Sequence, residues 1–260
     1  MNVAIIAIAK NEQLYIKEWL DYHLKLGFDK IIVADNDDTL LLSPFASERV
    51  IIEDYRHFNP VQAKAYTELY KKYQKVYDWI LFMDIDEYMV LEKDKDIKTF
   101  LQRFNRSEID TIRLTGRHYT DNNDLDVIDG DYSTFNRFTV PIKTDKDRFC
   151  KSFINTKIDL GIRKILGHGI YDRTLNAVNA KGEKCGTDRM LDKAVYEVAW
   201  YNHYRTRTIG EYIRQKYARG GANHNPLRYR NWKVYFSVTN ELTPEKIEYA
   251  EKLIKEMSAK

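Results

Sequence analysis

The chain has 260 residues, a formal net charge of +3, 43% hydrophobic and 31% charged residues. This is the composition of one large globular domain, or of one with a C-terminal elaboration, and the charge is too small to argue for nucleic acid as a partner. The two cysteines, Cys150 and Cys185, have no metal-ligand spacing, and no stretch approaches the roughly 20 apolar residues of a membrane helix, so a cytoplasmic chain is expected.

Residues 1–9 are apolar but lack a basic flank, and Lys10-Asn11-Glu12 follows at once, so they read as a first strand and not a signal peptide. Ile16, Trp19, Leu20, His23 and Leu24 then recur at helical spacing, with Gly27 where a C′ cap belongs. Residues 30–34 read as a second strand ending in Asp35-Asn36-Asp37-Asp38, and residues 50–52 as a third. Asn59-Pro60 supplies an N-cap and first-turn pair for a helix to about Val76, with Val61, Ala65, Leu69 and Tyr73 on one stripe. Strand and helix alternate, which predicts a parallel sheet.

Residues 79–83 are wholly apolar and end in Asp84-Ile85-Asp86-Glu87. Nothing about packing calls for acids there. In open α/β sheets, ligands bind beyond the carboxyl ends of strands. Asp84 and Asp86, two apart, share a face and form a hard-cation site suited to Mg²⁺ or Mn²⁺ shared with phosphates. The bland reading is a solvated acidic turn. Glu87 reads equally as a partner orienting Asp86 or as a solvated turn residue. The three polar strand ends should lie along one sheet edge and form one site.

The second half is less regular. Residues 111–114 look like a strand, followed by a polar loop, 115–131, that suits a lid over the acidic edge or a surface insertion. Residues 148–154 read as another strand; residues 161–193 carry no assignable pattern. The strand-like run 195–201 leads to His203, and a helix over 209–218 carries Arg214 and Lys216, with Arg219 just beyond it, towards Gly220-Gly221. Residues 223–235 mix Arg228, Arg230 and Lys233 with Tyr229, Trp232 and Tyr235, which suits a membrane interface or, preferably, a tail packed on the body. Thr243-Pro244-Glu245 caps a last helix whose Ile247, Ala250, Leu253 and Ile254 form a docking stripe.

Taken in order, Lys10-Asn11-Glu12, residues 18–23 with Leu26-Gly27, Asp35-Asn36-Asp37, Gln62, residues 84–87, His203-Tyr204, Glu211-Tyr212 and Lys216 resemble an inverting-type glycosyltransferase of the GT-A fold, in the neighbourhood of families 2 and 92. Asn36-Asp37-Asp38-Thr39 departs from a frequent Asp-Asn-x-Ser and Arg207-Thr208 from a common Lys-Ser, which bears on the donor sugar. The resemblance implies an α/β, Rossmann-like, mostly parallel sheet flanked by helices over residues 1–222, with a C-terminal helical extension over 223–260. It implies transfer from a UDP-sugar to a saccharide or lipid-linked saccharide acceptor, in cell-surface polysaccharide or glycolipid synthesis, with peripheral contact at the cytoplasmic face of a membrane.

By the same resemblance, Asn11, Glu12, Asp35, Asn36 and Gln62 line the nucleoside pocket. Asp84 sits near the ribose and metal, Asp86 binds the metal, and His203 completes its shell, with His168 as competitor. Lys151 and Lys216 face phosphate. The base at the acceptor hydroxyl is sought in Glu211, whose place in a first helical turn also suits simple dipole complementation, and in Asp121 of the loop. A haloacid-dehalogenase-like phosphatase also puts Asp-x-Asp after a buried strand, but usually on the first strand and with Thr or Val where this chain has Tyr88. A non-catalytic sugar-binding relative is the third reading, and the retained Asp84, Asp86 and His203 argue against it.

Overall fold

The computed structural model describes residues 1–56, 58, 62–127, 130–161, 163–220 and 229–259. The expected cap at Asn59-Pro60, Val61 on its helix stripe, Gly221, Arg228, and the division at residues 222/223 lie outside the described residues.

Four strands form a parallel half-sheet in the order β3-β2-β1-β4: β1 (Val3–Ala9), β2 (Lys30–Asp35), β3 (Val50–Asp54) and β4 (Trp79–Asp84). Its apolar residues alternate between two cores. Val3, Ile5, Ala7, Trp79, Leu81 and Met83 face one side; Ala4, Ile6, Ile8, Ile80 and Phe82 face the other. Helix α1 (Ile16–Lys25) covers the first with Ile16, Trp19 and Leu20, and α2 (Gln62–Tyr73) covers the second with Ala65, Tyr66 and Leu69. Both faces are therefore dry, which is why these strands read as unbroken apolar runs. Gly27 ends α1 at φ +104°, a conformation that disfavours any side chain.

The expected parallel sheet describes this half; the rest is mixed. β8 (Cys150–Asn155) joins β4 antiparallel, with Phe82 opposite Ser152, and β6 (Thr111–Tyr119) joins β8 antiparallel. β10 (Ala199–His203) runs parallel to β6, and β5 (Glu87–Leu91) closes the order antiparallel to β10. Strand β6 extends five residues past the predicted 111–114, so the first part of the presumed lid is sheet. Short β7 (Pro141–Ile142) and β9 (Ala177–Asn179) also pair with β6, and β9 orders part of the unassigned stretch. Two short helices, α3 (Ile97–Leu101) and α4 (Thr134–Arg137), complete the layer over the first core.

After β10, helix α5 (Ile209–Tyr212) continues into a π-helical turn, Ile213–Tyr217. With α6 (Trp232–Phe236) and α7 (Pro244–Ser258) it forms a third core of Ile209, Tyr212, Ile213, Trp232, Phe236 and Ala250, against which Ile247, Leu253 and Ile254 pack. Thr243 caps α7 by accepting from the Lys246 amide. Of the aromatic tail, the described Tyr229, Trp232 and Tyr235 pack against α5 and its continuation. The Tyr212 hydroxyl donates to the Tyr229 carbonyl at 2.7 Å, Tyr235 stacks on Tyr212, and Trp232 joins the third core; residues 223–228 lie outside the described residues. Among the described residues, no helix is long and apolar enough to cross a membrane.

Candidate active site

The acid-ended strand turns sharply. Asp84 closes β4, Ile85 and Asp86 make the turn, and Glu87 opens β5. Because β5 pairs with β10, His203 stands opposite Glu87, and the Tyr204 amide donates to the Asp86 carbonyl at 2.9 Å. His203 Nε2 lies 3.6 Å from Asp86 Oδ2 and its Nδ1 3.9 Å from Glu87 Oε1. Ligand atoms of Asp86, Glu87 and His203 all fall within 4.8 Å of one another. His118, on the parallel neighbour β6, lies against His203 with ring centroids 4.8 Å apart and hydrogen-bonds Asp147 through Nδ1 at 2.7 Å.

Two ammoniums serve three carboxylates here. Lys151 donates to Asp84 Oδ2 at 2.7 Å and lies 3.0 Å from Glu87 Oε2. Lys216 donates to Asp86 Oδ2 at 2.5 Å. Burial opposes the charge on Asp86, yet the Lys216 ammonium holds its carboxyl well below the usual range. Burial, and then the neighbouring Asp84 and Asp86, push Glu87 up to about 8 against the pull of Lys151. Burial takes His203 down to about 3, which leaves the imidazole neutral, as a metal ligand must be.

These groups wall a cavity of about 380 Å³ that also receives Glu12, Asn36, Gln62, Lys151 and Lys216. The parallel register explains this: the polar ends after β1, β2 and β4 come to one sheet edge, as expected. Glu12 is ion-paired to Arg207 at 3.3 Å and to Arg219 at 3.1 Å. Asn36 donates to the carbonyls of Tyr55, at 2.7 Å, and Phe58, at 3.2 Å. Gln62 donates to Asp84 Oδ1 at 3.0 Å. Gly167 lets the Gln62 carboxamide approach so closely that a Cβ would sit 2.7 Å from its oxygen. His168 lines the same cavity but turns Nδ1 to the Cys150 carbonyl at 3.0 Å, and burial lowers it to about 4.

Several expectations need correction. Glu211 lies outside the cavity lining: it takes both guanidinium nitrogens of Arg137, at 3.0 and 2.7 Å, the Tyr15 hydroxyl at 2.5 Å, and forms a capping box with Thr208. A carboxylate so saturated caps a helix and cannot meet an acceptor. Asp121 is also buried away from the cavity, paired with Lys246 of α7 at 2.7 Å. Neither is placed as a base. Asp35 is fully buried and accepts the amides of Asp37 and Leu42, each at 3.0 Å, so it shapes the loop and does not face the cavity. Asn11 likewise does not line it; its amide, at φ 55°, donates to Asp37 at 2.6 Å. Asp84 is bonded by Lys151, Gln62 and Tyr66 and is not in the set of ligand atoms that converge within 4.8 Å, which takes Glu87 in its place. Glu87 is 1% exposed, which rules out a solvated turn. Its signal was legible: Glu87-Tyr88-Met89-Val90-Leu91 is a strand-forming run. No sequence signal marked His118.

The glycosyltransferase family 92 profile matches residues 3–158 of the chain. No curated protein sequence matches it. Among solved structures, S. aureus TarS is similar over 91% of this chain and 43% of its own, at 16% identity and a TM-score of 0.41. Bifunctional IspDF from Campylobacter jejuni is similar over 60% of this chain and 42% of its own, at 13% identity and a TM-score of 0.30. The chain thus spans about two fifths of the length of either.

Proposed function

The chain belongs to glycosyltransferase family 92, and from that premise we propose that it transfers a sugar from a UDP-sugar to a saccharide or lipid-linked saccharide acceptor, with Asp86, Glu87 and His203 holding Mn²⁺ or Mg²⁺. One observation carries this reading: three ligand atoms converge within 4.8 Å on the wall of a cavity that also receives Glu12, Asn36 and Gln62. Two carboxylate oxygens and an imidazole nitrogen fit Mn²⁺, and fit Mg²⁺ when waters complete the shell. The raised Glu87 supports the fit, because crowded acids that two ammoniums do not satisfy are relieved by a further cation.

When bound, the cation neutralises charge developing on the departing diphosphate. The remaining work falls to the chain's own side chains. Lys216, which lines the cavity and donates to Asp86, would meet phosphate oxygens. Lys151 fixes Asp84 and Glu87 at their separation, and Gln62 holds Asp84 from the other side. With Glu211 and Asp121 elsewhere, the acceptor proton of an inverting transfer goes to a group lining the cavity. Polysaccharide or glycolipid synthesis at the cytoplasmic face of a membrane is the setting that the resemblance favours.

Calorimetric titration of UDP and GDP, with Mn²⁺ and with EDTA, tests the donor side. UDP should bind only with the cation, and UDP-sugar hydrolysis should follow the same requirement. Equal UDP binding in EDTA would sink the metal assignment, and tight GDP with no UDP binding would sink the donor.

A further inference from the structure

Beyond the acidic cluster the cavity runs to Phe149, where the turn Asp145–Arg148 meets β8. Because β8 is antiparallel to β4, its beginning lies at the edge where β4 ends. Three groups gather on the Phe149 ring. The His168 ring stacks on it at 5.2 Å, the Lys146 ammonium lies 5.4 Å from its centroid, and the Arg189 guanidinium 5.3 Å. All four residues line the cavity.

Lys151, Lys216 and Arg219, which line the same cavity, each ion-pair with a carboxylate, and Arg205 is buried against the Tyr235 ring. Among the described residues, Lys146 and Arg189 form no such pair, and both are exposed. Asp147, next to Lys146 in sequence, is buried and turned inward onto His118. A ring face attracts a cation without neutralising it, so Phe149 holds two positive charges at the cavity wall and leaves them open to an anion.

We propose that Phe149, Lys146 and Arg189 form an acceptor subsite for a saccharide that carries an anionic group, a carboxylate or a phosphate. The inference rests on the transferase reading above and names its acceptor class. The donor diphosphate is the rival occupant. It is disfavoured by sheet order: Glu12 and Asn36 follow β1 and β2, on one side of β4, whereas Phe149 immediately precedes β8, on the other. Asp84, which closes β4 and binds Lys151, stands between them in that order.

The test is an NMR titration of the full chain, with and without Mg²⁺ and UDP, using methyl glucoside, methyl glucuronide and glucose 6-phosphate. One or both anionic probes should bind about tenfold tighter than the neutral one, with a preference that fades in salt, and which probe does so names the anion. The preference should vanish in the double variant Lys146→Gln, Arg189→Gln, whose exposed positions spare the fold. Equal binding of all three probes, binding of none, or a preference that survives in the double variant would overturn the proposal. So would a loss of UDP affinity in that variant, which would hand both cations to the donor diphosphate. A wild-type chain that binds an anionic probe but not UDP would keep the subsite and remove the donor reading instead.

Discussion

Lys216 Nζ lies 2.5 Å from Asp86 Oδ2, a contact between residues 130 apart in sequence. Lys216 sits in the π-helical turn Ile213–Tyr217, where an extra residue per turn re-aims side chains that a regular helix would point elsewhere. The same ammonium also donates to the Arg205 carbonyl. Asp86 is therefore ionised and partnered within the protein itself, and a divalent cation has to share that oxygen with an ammonium or displace it.

Asp86→Asn should abolish Mn²⁺-dependent UDP binding, and it should also destabilise the protein. It leaves a buried ammonium without its carboxylate, which costs about 3 kcal/mol, or roughly 6–12 °C in Tm for a domain of this size. Adding Lys216→Met should restore much of the Tm but none of the UDP binding. Calorimetry together with thermal unfolding of the single and double variants checks this. Recovery of UDP binding in the double variant would refute the role of Asp86.

His203→Ala should weaken Mn²⁺ binding by at least about tenfold and leave a fold that excess Mn²⁺ partly reactivates. His168→Ala should leave Mn²⁺ affinity unchanged, because its Nδ1 is committed to the Cys150 carbonyl. Electron paramagnetic titration of free Mn²⁺ distinguishes the two. Equal weakening by both substitutions would count against His203 as a ligand.

Glu211→Gln should act on stability and not selectively on turnover. It breaks a bidentate pair with Arg137, whose side chain is largely buried, and weakens the capping box of α5, at about 2 kcal/mol. Urea unfolding should show a lowered midpoint while hydrolysis per folded molecule stays within a few-fold of wild type. A loss of turnover by orders of magnitude at unchanged stability would return Glu211 to the role of base.

His23 supplies a pH prediction. It is fully buried, its Nδ1 faces the Trp19 carbonyl at 2.9 Å, and its Nε2 accepts the Met89 amide at 3.3 Å. Both contacts are made by the neutral ring, and burial lowers its pKa from 6.5 to about 3. With the folded value below the unfolded one, the unfolded chain binds the extra proton, so stability is lost as pH falls through about 6.5. Between about pH 7 and about pH 5.5 this one residue should cost about 1 kcal/mol. The decline in urea midpoint over that window should be shallower in His23→Gln. An unchanged slope would show that His23 does not carry it.

The α/β class and the positions of the first strands were written locally. Apolar runs such as 79–83 and the stripe Ile16, Trp19, Leu20 carry their own period, and Gly27 marks its own cap. That the polar ends after β1, β2 and β4 meet at one edge also follows from sequence, since alternating strands and helices force parallel pairing. Sequence likewise singled out Asp86, because acids at a strand end have no packing reason to be there, and His203, through the family resemblance of its segment.

Tertiary structure decided which of those groups meet. Asp84 and Glu87 are both acidic and near Asp86, but only the antiparallel pairing of β5 with β10 sets Glu87 opposite His203, while Lys151 from β8 draws Asp84 away. Glu211 looked like a base because its neighbours in sequence face the site. Arg137, 74 residues away, makes it a structural anion instead. Lys146 and Arg189 have no sequence signature in common, and Phe149 brings them together only after the chain has folded. Local pattern records burial and backbone period; the partner of a charged group is set by contacts between distant segments, which no local pattern contains.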